Sequence, residues 1–238
     1  MSVKKTKNAT ILGFTTDKEK KLDSDIHFFL LGNGFFMFSY KKSVEILAWL
    51  LRKYNGAASK ILLIKLLFFA DKYHLRKYGR TVSSDEYRAM NFGPVATKTL
   101  SIANLDETWL PASACALASD VLELSNGGKQ LKLINDIPST ALSESDIEAL
   151  DFAYNTFGDK KPFELVELTH KYPEWEKHQK EIRSEENPNG RKSVPMDVRD
   201  FLDEPPNGLN PCFEMTAEDK DFILDLINES ESFDKFFK

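Results

Sequence analysis

The residues best suited to do chemistry in this chain gather between Lys65 and Tyr87. Lys65, Lys72 and Arg76 recur at i, i+7 and i+11, which sets them on one narrow stripe of a helix. Asp71 interrupts an otherwise apolar run; a carboxylate there is costly to bury unless paired, and Arg80 or a backbone N–H would satisfy it. His74 and Tyr87 add an imidazole and a phenol. The basic stripe has three readings: a solvated helix face, a contact for an acidic protein, or a contact for phosphate.

The further groups that would turn these residues into a catalyst do not follow. His27, His74, His170 and His178 do not fall at zinc-site spacings with Cys115 or Cys212. Gly127-Gly128 reads as a hairpin turn, without the following helix that would cradle a phosphate. Cys115 with His170 has no motif supporting a nucleophile–base pair. His74 and His170 follow or end apolar helical runs and read as packed or capping residues. No catalytic residue, metal ligand set or cofactor is expected.

The element that must hold these groups is the run Ile61–Leu75, which has the length of a helix and is apolar nearly all round. Such a helix must be buried on nearly all sides. Ser59 is placed to cap it and Gly79 to end it with a left-handed residue. Upstream, Val44, Leu47, Ala48, Leu51 and Tyr54 recur at helical spacing, with Ser43 as the expected N-cap. Downstream, Tyr87–Met90 alternates like a strand, and Pro94 is placed to open a helix running to about Asn104. Val121–Leu124 and Lys129–Leu133 flank Ser125-Asn126-Gly127-Gly128, a hairpin signal. Two strands alone are marginal, so Tyr87–Met90 is expected to join them as a third.

Ser143 with Asp146 opens a helix to Phe157, Pro162 opens another to His170, and a polar helix is expected from Glu174 to Ile182. The fold class is therefore mainly α with a small antiparallel sheet. It has a helical core around a buried central helix, plus a two- to three-stranded hairpin sheet.

Several of these residues also resemble a known family. Lys65–Asp71, Tyr73-His74, Tyr78-Gly79-Arg80, Asp85–Met90 and Gly93-Pro94-Val95 are similar to the opening of the Panacea, or SocA-like, antitoxin domain. Glu164–His170 and Trp175 are similar to its end, in the family's order and roughly its spacing. The resemblance implies an antitoxin that neutralises a protein toxin encoded beside it, by direct contact or by delivery to a protease of the AAA+ class. If the chain works by such contact, Lys65, Asp71, Lys72, His74, Arg76, Arg80 and Tyr87 are the candidate partner-binding residues. Two rivals are an autoregulator that binds its own DNA, and a phage-associated enzyme with an unrecognised site.

The expected organisation is an extension at 1–40, the domain at 41–182, a Pro-rich linker or loop at 183–215, and an acidic amphipathic helix at 216–238. The extension reads either as a β-hairpin at His27–Tyr40 or as a segment outside the native domain. The linker leaves room for a short helical piece at Met196–Leu202.

Composition narrows the partner. The chain has 238 residues, a net charge of −5 and two cysteines. That balance argues against a dedicated nucleic-acid binder and against a disulfide framework. No uninterrupted apolar stretch suggests a signal peptide or a membrane span, so a cytoplasmic protein is expected. The charge is uneven: residues 41–100 hold 12 Lys+Arg against 4 Asp+Glu, and residues 200–238 hold 3 against 11. Such asymmetry fits either an internal match or a basic face kept for an acidic partner.

Overall fold

Ser39, not Ser43, starts the first helix: its side chain accepts from the Lys42 N–H, and α1 runs Tyr40–Lys53. Ser43 lies one turn inside, fully buried, where its hydroxyl meets Thr99 instead. The computed structural model describes residues 38–183, 187–206, 209 and 211–236. Of the hairpin expected at His27–Tyr40, residues 27–37 lie outside this set, and Tyr40 opens α1.

From α1 the chain turns through Asn55 and Gly56, both at positive φ, into β1 (Ala57–Ser59). It then enters the central helix α2 (Lys60–Tyr78). Ser59 stands at its N-cap without a side-chain cap bond. Gly79 ends it at φ 73°, its N–H donating to the Leu75 carbonyl at 2.9 Å. Every residue from Leu62 to Lys72 is buried, as an all-apolar helix requires.

Helix α5 (Glu144–Phe157) packs along α2, with Phe157 stacked on Phe69 at 3.9 Å and Phe152 on Tyr73 at 4.2 Å. Its N-terminus is the expected capping box of Ser143 and Asp146. Helix α6 (Pro162–Thr169) covers another side of α2.

Two small antiparallel sheets complete the body. The first has the order β1-β5-β4, with β4 (Leu122–Ser125) and β5 (Gln130–Leu133) forming the expected hairpin. Its third strand is β1, pairing Ala58 with Leu131, and not Tyr87–Met90. The sequence concealed this because Ala-Ala-Ser has little strand propensity; its position directly ahead of α2 carries it onto the hairpin edge. The Tyr87–Met90 strand, β2, lies instead in a second sheet of order β3-β2-β6, with β3 at Gly93–Ala96 and β6 at Ser193–Pro195.

Pro94 is therefore a strand residue, opposite Ala89, and does not open the next helix. An edge strand tolerates a residue without an N–H. Helix α3 (Thr97–Ala103) follows, and its first turn is capped from outside: the Asp85 carboxylate accepts from the Lys98 N–H at 3.1 Å and the Thr99 N–H at 2.7 Å. Helix α4 spans Ala112–Val121.

Residues beyond Glu176 depart most from expectation. The polar helix expected to reach Ile182 is one turn, α7 (Pro173–Glu176), with Pro173 at its start. Much of the region read as a linker or loop is packed. Strand β6 pairs with β2, and the 3₁₀ turn Val198–Leu202 puts Phe201 and Leu202 into the core. Phe201 lies 5.3 Å from Phe68 and 4.9 Å from Tyr87, ring to ring.

Helix α8 (Ala217–Phe236) follows. Thr216 caps it by accepting from the Asp219 N–H. Ile223 and Ile227 are buried, while Phe222 and Leu226 of the same expected apolar face are exposed. Leu226 Cδ1 would stand 3.1 Å from a Cβ built on Gly79, so α8 docks where the central helix ends.

Candidate functional site

Helix α2 distributes its polar groups to three separate buried centres. Asp71 faces the loop that follows the helix. Its carboxylate accepts from the Ser83 N–H at 2.9 Å, the Ser83 hydroxyl, and the Tyr87 hydroxyl at 2.7 Å. Burial raises the Asp71 carboxyl to about 6 against the opposing pull of those bonds, and the Tyr87 phenol is raised by burial and by the Asp71 charge beside it. The backbone N–H expected as a partner is there; Arg80 is not. It donates to Asp146 at 3.0 Å instead.

Lys72 and Arg76 serve the second centre. Lys72 Nζ donates to Glu174 Oε1 at 2.8 Å and to the Phe201 carbonyl at 3.0 Å. Arg76 reaches the same Phe201 carbonyl at 3.0 Å and Glu204 at 2.9 Å. The solvated face expected for this stripe is corrected, because Lys65, Lys72 and Arg76 are all buried. Partners from α7, the 3₁₀ turn and Glu204 cover Lys72 and Arg76, and the Pro94 carbonyl meets Lys65. Part of the positive charge of residues 41–100 is thus matched internally by the later acidic segment.

His74 forms the third centre. Its Nδ1 lies 2.6 Å from the Arg80 carbonyl and its Nε2 3.0 Å from the Ser145 hydroxyl. A carbonyl can only accept, so Nδ1 carries the hydrogen and Nε2 accepts from Ser145. Burial holds this imidazole down at about 4, leaving it neutral. Together with the Arg80–Asp146 pair it ties α2 to α5.

Lys65 stands apart from these. It is 2 % exposed, and its Nζ donates to the Pro94 carbonyl at 2.7 Å, with no carboxylate paired to it among the described residues. Burial lowers it to about 7. It lies at the floor of a cleft of about 340 Å³ lined by Ile61, Ile64, Met90, Phe92, Val95 and Leu100, with Asn91, Lys60 and Lys192. Gly93 makes this approach possible: at φ +93° it leaves open the space where a Cβ would sit 2.4 Å from Thr169 Oγ1 and 2.8 Å from Lys65 Nζ.

Beyond Thr169, His170 stacks on Trp175 at 3.7 Å, and the Trp175 indole donates to the Met90 carbonyl at 2.9 Å. Burial, then the nearby Lys65 charge, brings His170 down to about 4.

The rim of this cleft carries an exposed aromatic pair that sequence reasoning missed. Phe92, 50 % exposed, meets Phe163, 60 % exposed, edge to face at 5.9 Å between ring centres. Phe92 sits at the β2–β3 turn and Phe163 in the first turn of α6, so neither belongs to an amphipathic pattern that would flag it. Glu174, Asp85 and Thr99 were missed as well, since their partners lie 102, 13 and 14 residues away in sequence.

Of the candidate partner-binding residues, the fold joins Asp71 to Tyr87, Lys72 to Arg76, and His74 to Arg80, and sends Lys65 to the cleft. Among the described residues no group of three or more His, Cys, Asp or Glu is placed to hold a metal ion. Among the described residues no helix is long and apolar enough to cross a membrane.

Residues 63–176 match the family model described as the antitoxin SocA-like, Panacea domain. That span takes in α2 from Leu63 on, the β2–β3 turn, α6 and α7, and hence the cleft floor, the aromatic pair and Trp175. The match supports an antitoxin-like role for the chain. No curated protein and no solved structure matches the chain.

Proposed function

We propose, from the membership of residues 63–176 in the SocA-like Panacea domain family, that this chain neutralises a protein toxin encoded beside it by direct contact. The observation that carries this reading is the Phe92–Phe163 pair, half or more exposed on the rim of the cleft within the family span. Each aromatic side chain buries roughly 150–250 Å² when covered, and such anchors dominate protein interfaces. The polar groups of α2 support the reading from inside. Asp71, Lys72, His74, Arg76 and Tyr87 are spent on tying loops and later segments to the central helix, which makes the presenting surface stiff. A pre-ordered surface loses little entropy on binding. Lys65 and Arg80 are the candidates that retain an outlook on a cleft or on solvent.

The test is co-expression of the chain with the product of the neighbouring reading frame, scoring growth rescue, co-purification and toxin lifetime. Contact neutralisation gives rescue and a stable complex. A toxin that disappears while growth recovers points to delivery to a protease. A toxin that kills with the chain present and unbound defeats the proposal.

A further inference from the structure

We infer that the cleft floored by Lys65 is a binding site for a segment of the toxin that carries an apolar side chain next to a carboxylate; this rests on the contact reading above. The apolar wall of the cleft, built by Ile61, Ile64, Met90 and Val95, asks for a hydrophobic group. Its charged members are three lysines, and among the described residues lining it none is acidic.

Among the described residues Lys65 donates only to the Pro94 carbonyl and Lys60 to the Asn104 side-chain carbonyl, so both cations face neutral acceptors. Lys192 is exposed and makes no ion pair among the described residues. This contrasts with Lys72 and Arg76, whose charges are met by Glu174 and Glu204. No residue of the acidic helix α8 lines the cleft; its Ile223 and Leu226 lie instead beside Gly79, at the other end of α2. A carboxylate entering the cleft would pair a cation that has no counter-charge among the described residues, and charge-assisted bonds of this kind are the strong ones. Phe92 belongs to both the cleft lining and the exposed aromatic pair, so cleft and rim form one continuous surface.

The experiment uses the full chain labelled with ¹³C on its methionine methyl groups, where Met90 reports from the cleft. The probes are capped peptides of alternating leucine and aspartate, and the same peptides with asparagine or lysine in place of aspartate. The expected result is a saturable shift of the Met90 methyl with the leucine–aspartate peptide alone. Lys192→Glu and, separately, Lys60→Gln should weaken that binding, the charge reversal by about tenfold or more.

Equal shifts with the asparagine peptide, or no movement of Met90 with any peptide, would overturn the inference. So would full toxin co-purification by Lys192→Glu and Lys60→Gln chains when Phe92→Ser/Phe163→Ser has abolished it; contact neutralisation would then stand without the cleft. If the leucine–aspartate peptide binds but the wild-type chain neither rescues nor co-purifies, the toxin as its source is overturned together with the antitoxin reading.

Discussion

Lys72 Nζ lies 2.8 Å from Glu174 Oε1, and neither side chain reaches solvent. Burial pulls Lys72 down and Glu174 up, toward their neutral forms, while each one's charge pulls the other back. This pair fastens α7 to the central helix across 102 residues of sequence. Its value lies in where it holds the chain more than in net stabilisation, since a buried pair is costly to desolvate.

Removing one partner should be far worse than removing both. Lys72→Met leaves a buried carboxylate without its cation and should cost about 3–5 kcal/mol, whereas Lys72→Met with Glu174→Leu should recover much of that loss. A double-mutant cycle from urea unfolding checks it; additive losses would mean that the two residues do not act as a pair.

Lys65 should give the chain an alkaline dependence. Its folded value of about 7 lies below the ordinary 10.5, so the unfolded chain holds this proton where the folded chain has released it. A depressed folded value contributes stability that is present above 10.5 and lost as pH falls through 7. Wild-type stability should therefore rise relative to Lys65→Met as pH climbs from neutral, by up to about 1.4 kcal/mol per unit. Parallel urea midpoints at neutral and alkaline pH decide it; a constant gap would contradict the assignment.

Two imidazoles should resist acid. His74 and His170 are both held at about 4 by burial, down from 6.5. Their contribution to stability is present above 6.5 and lost as pH falls through 4. Asp71 runs the other way: raised from 3.8 to about 6, its contribution is full below 3.8 and lost as pH rises through 6. Histidine proton titration by NMR should show two rings unprotonated until near the acid limit of folding. Midpoints at the ordinary 6.5 for those two rings would refute the burial described.

Gly93→Ala should damage both fold and cleft. The φ of +93° strains any side chain, and the new methyl would meet Thr169 and Lys65. A loss of roughly 1–3 kcal/mol is expected, with Met90 among the perturbed resonances. A neutral substitution would show that Lys65 and Thr169 yield freely.

Phe92→Ser with Phe163→Ser should separate binding from folding. Both rings are largely solvated, so stability should change by about 0.5 kcal/mol or less per site. Toxin co-purification should be lost. An intact complex would place the interface elsewhere.

What the sequence determined by itself is local. The length and apolar character of α2, its left-handed stop at Gly79, the capping box at Ser143 and the hairpin at Gly127 follow from periodicity and turn chemistry within a few residues. The family resemblance was also legible, because its motifs are short and ordered along the chain.

Only the tertiary structure decided what those elements face. Helical spacing reads Lys65, Lys72 and Arg76 as a charged stripe, but Phe201, Glu204 and Glu174 arrive from more than 90 residues away to meet two of them and leave the third. The same holds for Ala57–Ser59, whose weak strand propensity is overridden by an available hydrogen-bonding edge, and for Pro94, placed by its pairing opposite Ala89. Periodicity fixes which way a side chain points from its own backbone. Whether that direction ends in water, a counter-charge or an open cleft depends on segments distant in sequence, and that is settled only when the chain packs.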